Sequence, residues 1–128
     1  MKYTILVSGP CFGTQNSISS FLFSKHLIKK GHFIKSIFFY SDGVYNSNSI
    51  NFSDNEKINL LKCWKKLHKK FNINLKLCIG SALKRGLVNK DIALERGVDI
   101  NNIDYCFKIT GFTELSEDIM LSDRVIQF

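Results

Sequence analysis

Apolar residues in this chain fall into short runs separated by stretches of helical period. Tyr3-Thr4-Ile5-Leu6-Val7 is apolar and β-branched and stops at Ser8-Gly9-Pro10, which predicts a buried strand. After a loop through Gly13, Thr14 is placed to cap a helix on which Ile18, Phe21, Leu22 and Ile28 keep helical spacing. Lys29-Lys30-Gly31 suits its end, because basic side chains and a glycine favour a helix C-terminus. Phe33 to Tyr40 carries the nearly continuous run Ile37-Phe38-Phe39-Tyr40, the pattern of a strand covered on both faces.

Ser41 to Asn51 is rich in Ser, Asn, Asp and Gly and reads as a long loop, the best candidate for a lid or partner-binding segment. Ser53-x-x-Glu56 has the form of a capping box and opens a helix whose Leu60, Leu61, Trp64, Leu67 and Phe71 share one face. The lysines between them take the solvated remainder. Ile73 to Leu77 makes a third strand with Cys78 at its C-terminal end, followed by a short helix from Gly80 to Arg85 that closes at Gly86. A small helix over Asp91 to Arg96, a strand over Tyr105 to Ile109, a helix over Phe112 to Met120 and a last strand over Arg124 to Phe128 complete the pattern. Strands alternating with helices, each strand mostly apolar, predict a three-layer α/β/α fold with a mainly parallel five-stranded sheet, flavodoxin-like in class.

At 128 residues, with 45% apolar residues and a single proline, the chain is expected to form one domain over residues 1–128. Its first apolar run is too short for a signal-peptide core, and no stretch approaches the roughly 20 apolar residues of a membrane span. A cytoplasmic location is expected, and in that compartment Asn51-Phe52-Ser53 is a chance match to a glycosylation acceptor. The formal net charge of +7 has the sign of a nucleic-acid binder. Lysine far exceeds arginine, however, and no basic cluster is interleaved with aromatics, so direct RNA binding is not expected.

Cysteines stand at positions 11, 63, 78 and 106, without a C-x-x-C pair or a histidine at zinc-ligand spacing, and in a reducing compartment they are expected as thiols. In open parallel sheets the reactive site lies beyond the carboxyl ends of the strands. Here that end gathers Gly9 to Thr14, Ser41 to Asn51 and Cys78 to Ser81. Cys78 precedes the first turn of a helix, whose unpaired N–H groups and dipole favour a thiolate. Gly80 and Ser81 leave room for an added atom, and Lys84 and Arg85 carry charge that suits a thiolate if they fold back. The alternative is a small buried residue closing a strand. Cys63, beside Trp64, and Cys106, inside a strand, read as inert packing residues. Cys11 shares the end of the sheet with Cys78, either to resolve a modified thiol or simply in place of a small residue. Gly9 to Thr14 lacks both G-x-x-x-x-G-K-[ST] and G-x-G-x-x-G, which argues against a nucleotide site. His26, His32 and His68 have no acidic partner in register and read as surface or packing residues.

Several segments together resemble the DsrE-like sulfur carriers. They are Ser8-Gly9-Pro10 with Gly13-Thr14-Gln15, Phe38-Phe39-Tyr40 with Gly43-Val44-Tyr45-Asn46, Cys78 with Ala82-Leu83 and Arg85-Gly86, and Asp123-Arg124-Val125 with Gln127-Phe128. The resemblance implies a sulfurtransferase in which Cys78 is the catalytic residue and carries sulfur as a persulfide. It also implies a heterohexamer with TusB-like and TusC-like subunits, a TusA-like donor, a TusE-like acceptor, and 2-thiolation of the tRNA wobble uridine as the end product. No cofactor and no metal enters such chemistry. Lys84 stands where the family pattern leads one to expect arginine, so any guanidinium-specific contact at that position would be lost. The competing readings are a non-catalytic structural subunit of the same kind of complex and a flavodoxin-like small-ligand binder.

Overall fold

The computed structural model describes residues 1–50 and 59–128; the capping box at Ser53 and Glu56 and the acceptor-like Asn51-Phe52-Ser53 lie outside them. In chain order the elements are β1 (Lys2–Val7), α1 (Asn16–Lys29), β2 (Phe33–Phe39), a 3-10 helix (Ser41–Ser47), α2 (Leu60–Phe71) and β3 (Asn74–Cys78). Then come α3 (Ile79–Lys84), α4 (Lys90–Arg96), β4 (Phe107–Thr110), α5 (Phe112–Met120) and β5 (Arg124–Gln127). The five strands form one sheet in the order β4-β3-β2-β1-β5, and every pairing is parallel, as the apolar strands separated by helices required. No helix among the described residues is long and apolar enough to cross a membrane.

The two faces of the sheet differ in chemistry. Ile5, Val7, Ile37, Phe39, Leu75, Leu77 and Phe107 alternate along their strands and join one apolar core with Leu60, Trp64 and Leu67 of α2. Trp64 stands edge-on to both Phe39 and Phe21, at ring separations of 5.2 and 5.5 Å. Each such side chain contributes about 1.5–3 kcal/mol on full burial. The opposite face presents Thr4, Ser36, Phe38 and Lys76 to α5, whose Asp118 is buried. Phe38 meets Phe112 there, with centroids 6.3 Å apart.

The helix starts and the buried faces refine the sequence reading. Thr14 does not cap α1; that position belongs to Gln15, which makes no side-chain cap bond. The buried residues of α1 are Ser17, Ser20, Ser24 and Leu27, while Leu22 is 56% exposed. Serines succeed on the buried face because each hydroxyl finds a carbonyl: Ser17 donates to Gly9, Ser20 to Ser17 and Ser24 to Ser20. At α2 the Asn59 side chain accepts from the Lys62 amide, and Phe71, expected on the apolar face, is 45% exposed.

The first part of the segment expected as a loop, Ser41–Ser47, is helical. It winds into the 3-10 helix and buries Gly43, Val44, Asn46 and Ser47. Gly43 presses against the Val7 carbonyl so closely that a Cβ has no place, which explains a glycine there. Asn46 Nδ2 donates to Gly9 O, Ser17 Oγ and Gly43 O, and its Oδ1 accepts from Trp64 Nε1 at 3.0 Å. One buried amide thus ties the 3-10 helix to the loop after β1, to α1 and to α2.

Candidate active site

β3 and β4 run side by side, but the chain leaves them toward opposite faces. From Cys78 it enters α3 directly, and Ala82 of that helix joins the large apolar core. From Thr110 it passes through Gly111 into α5, on the face of Phe38 and Lys76. A crevice opens beyond neighbouring strand ends whose connections part in this way. Cys78, the last residue of β3, stands in it.

Alternation along β3 puts Cys78 on the same face as Lys76. Its residue exposure is only 5%, yet it lines an open pocket of about 340 Å³, so Cys78 is sheltered without being closed off. Tyr40 and Phe112 supply aromatic walls, and Ser41, Ser81, Lys84 and Arg85 supply polar ones. At Gly80, also on the lining, a Cβ would meet nothing within 4 Å, which matches the room expected beside the thiol.

The polar wall is held by contacts between the 3-10 helix and α3. Ser41 adopts a left-handed φ of 51°, and its amide donates to Ser81 Oγ at 2.9 Å. Arg85 spreads its donors over three acceptors: Nε to Asp42 Oδ1 at 2.9 Å, Nη1 to Ser81 O at 3.1 Å and Nη2 to Ser41 Oγ at 3.5 Å. Asp42 is more than half exposed, so this ion pair adds little stability and acts chiefly by fixing the wall. Lys84 and Arg85 both reach the pocket, but the Arg85 donors are directed at Asp42, Ser81 and Ser41.

Of the three segments expected at this end, those around Ser41 and Cys78 meet in the pocket and Gly9 to Thr14 does not. The 3-10 helix comes between them, with the Tyr40 amide on the Val7 carbonyl and Gly43 packed against it. Gly9 turns its carbonyl to Ser17 and Asn46, which is the wrong polarity for cradling phosphate. Cys11 donates its thiol to Tyr45 O at 3.6 Å and packs on the core, away from the Cys78 pocket. Cys63 lines a groove between α1 and α2. Cys106 is buried just before β4, and its thiol is pushed above the usual range first by that burial and then by the Asp104 carboxylate. None of the four forms a disulfide. His68 Nδ1 lies 2.8 Å from the Ile73 carbonyl, a packing contact of the expected kind.

The sequence reading missed two contributors. The sequence pattern gives Phe112 only a place in a helix, yet it walls the pocket. The sequence pattern ends the fourth strand at Ile109, whereas Thr110 continues it and pairs with Cys78 across the sheet. The period-2 pattern continued to Thr110, and only its polarity argued for a stop.

The whole chain, residues 1–128, matches the DsrE/DsrF-like family. It is 41% identical to Sulfurtransferase TusD of Buchnera aphidicola subsp. Acyrthosiphon pisum over the full length of both chains. It is also 39% identical to the Sulfurtransferase TusD homolog of Vibrio cholerae, covering all of this chain and 98% of that one. Among solved structures, the ychN protein from E. coli superposes with a TM-score of 0.77 over all of both chains at 21% identity, a likeness of fold alone. With a sheet, a strand-end cysteine and relatives that all match from end to end, the chain belongs to the DsrE/DsrF-like family, among its TusD-type sulfurtransferases.

Proposed function

We propose that Cys78 is the catalytic residue of this sulfurtransferase and that it carries the transferred sulfur as a persulfide. The observation that carries the reading is the position of Cys78, buried yet lining an open pocket with aromatic and polar walls at the β3–β4 crevice. Shelter limits exchange with stray thiols and oxidants, and the opening admits a partner's sulfur. In the first step the Cys78 thiolate attacks the outer sulfur of a donor persulfide. A new S–S bond forms at Cys78, the donor's own S–S bond breaks, and the donor sulfur leaves as a thiolate. In the second step an acceptor thiolate attacks the same outer sulfur and Cys78 leaves as a thiolate. The outer sulfur keeps its oxidation level throughout, so the relay needs no external oxidant or reductant.

The relatives named TusD support a place in a sulfur relay. On that footing the donor is a TusA-like protein, the acceptor a TusE-like protein, and the destination the 2-thio group of the tRNA wobble uridine. TusB-like and TusC-like subunits complete a heterohexamer, and the relay runs in the cytoplasm. Incubation with a persulfidated donor followed by peptide mass spectrometry tests the central step. The expected result is a reductant-labile gain of one sulfur on the Cys78 peptide, absent in Cys78→Ser. A Cys78→Ser protein that still supports tRNA thiolation in a reconstituted relay would return the chain to the role of structural subunit.

A further inference from the structure

Thr110 holds the one described buried side-chain oxygen without a hydrogen-bond partner. The residue is 5% exposed, so water does not satisfy its hydroxyl from outside. An unpaired buried hydroxyl is unfavourable and calls for an explanation. The register supplies one. Thr110 is the direct partner of Cys78 on adjacent parallel strands, so the two side chains stand on the same face of the sheet, about 4.8 Å apart between strands.

The flanking pairs show the same phase: Leu75 and Phe107 both face the apolar core, whereas Lys76 and Lys108 fall one residue out of step with them. A persulfide lengthens the cysteine side chain by one S–S bond, about 2 Å. The added sulfur, anionic when its proton is lost, is a hydrogen-bond acceptor in a place where the resting protein offers Thr110 none.

We propose that Thr110 donates its hydroxyl hydrogen to the outer sulfur of the Cys78 persulfide, and so holds the cargo between acceptance and delivery. The inference rests on the assignment of Cys78 as the sulfur-carrying residue. It explains why a polar residue ends β4 in a buried position and why its donor is idle in the thiol form. No bond is made or broken by Thr110 itself; the persulfide forms by the exchange described above, and the hydroxyl keeps its proton.

The test compares wild type, Thr110→Val, Thr110→Ser and Cys78→Ser, each incubated with glutathione persulfide at several concentrations and read by peptide mass spectrometry. Wild type and Thr110→Ser are expected to load at Cys78, and Thr110→Val to hold roughly tenfold less sulfur at the same donor concentration, the scale of one charge-assisted hydrogen bond. Because valine removes only an unpaired hydroxyl, the unfolding midpoint of Thr110→Val should equal or exceed that of wild type, and iodoacetamide should alkylate its resting Cys78 at the wild-type rate. Equal loading and retention in Thr110→Val overturns the proposal. So does a changed alkylation rate or a lowered midpoint accompanying the loss, since either marks a packing role. Failure of wild type itself to load at Cys78 overturns the assignment of that cysteine, a result distinct from the other two.

Discussion

Lys76 Nζ lies 2.6 Å from Asp118 Oδ2, and Ser36 Oγ donates to the same oxygen at 2.6 Å. Both charges are largely buried, with side-chain exposures of 14% and 5%. The contact joins β3, two residues before the candidate nucleophile, to the last turn of α5. Since α5 begins with Phe112, the ion pair also helps place one wall of the Cys78 pocket. Thr4 and Ser122 reach the Asp118 backbone carbonyl as well, so the polar cluster seats the helix at two points.

Breaking this pair from one side strands a charge. Lys76→Met leaves the Asp118 carboxylate buried with only Ser36 as donor, and the expected loss of stability is about 3 kcal/mol. Combining Lys76→Met with Asp118→Leu removes both charges and should restore most of it. Urea unfolding of wild type, single and double variants measures this. Equal stability of Lys76→Met and wild type would show that the carboxylate is not held in a dry site.

Asn46 is a second point where one side chain serves several elements. Asn46→Ala leaves Trp64 Nε1 without its acceptor and deprives Gly43 O and Ser17 Oγ of a donor, so a loss of about 2–3 kcal/mol is expected. Trp64 is the sole tryptophan and is fully buried, so its emission reports the event directly. The urea midpoint should fall at an unchanged slope, and the native-state emission should shift if water reaches the indole.

These two residues also mark the limit of what the sequence discloses. The strands β1 and β2 are legible because Ile5 and Phe39 sit in continuous apolar runs, and β3 because Ile73, Leu75 and Leu77 alternate with polar residues; from them follow the parallel sheet and the place of Cys78 at a strand end. Over Ser41–Ser47 a local window misleads, because Ser, Asn, Asp and Gly look solvated in it. The Asn46 side chain is paired instead with Gly9, Ser17 and Trp64, partners up to 37 residues away. The serine face of α1 failed for the same reason: a hydropathy pattern scores hydroxyls as outward, whereas those of Ser20 and Ser24 bond back to their own helix. Thr110 was lost at a strand boundary, where a single polar residue reads equally as strand or stop.

Glu114 gives a pH dependence with a definite sign. Its carboxylate accepts from its own amide and from the Gly111 amide, at 3.0 Å in the latter case, and these bonds hold its pKa below the usual 4.5. A depressed folded-state pKa means that the contribution to stability is fully present above the unfolded-state value and is lost as pH falls through the folded-state value. The start of α5 should therefore loosen only in acid. Following the Glu114 carboxyl and Gly111 amide resonances through an acid titration checks this. A common midpoint below 4.5 is expected in wild type, and the Gly111 response should vanish in Glu114→Gln. A midpoint at or above 4.5 would mean that the cap is not formed in solution.

Cys78 and Cys106 share an exposure of 5%, so burial alone does not separate them. Their electrostatic surroundings do. Lys84 and Arg85 line the pocket at Cys78, whereas Cys106 has the Asp104 carboxylate beside it; burial first and that charge second raise the Cys106 thiol above its ordinary 9.0. The raised value means that its thiolate appears only in alkaline solution, so at pH 7.5 iodoacetamide is expected to modify Cys78 before Cys106. Asp104→Asn removes the repelling charge and should speed modification of Cys106 while leaving Cys78 unchanged. Its effect is an upper limit on the charge contribution, because Asp104 also pairs with Lys65 at 3.1 Å and accepts from the Cys106 amide. Peptide mapping after timed alkylation gives both rates in one experiment. Faster labelling of Cys106 than of Cys78 in the wild-type protein would contradict the pocket as an entrance to a reactive thiol.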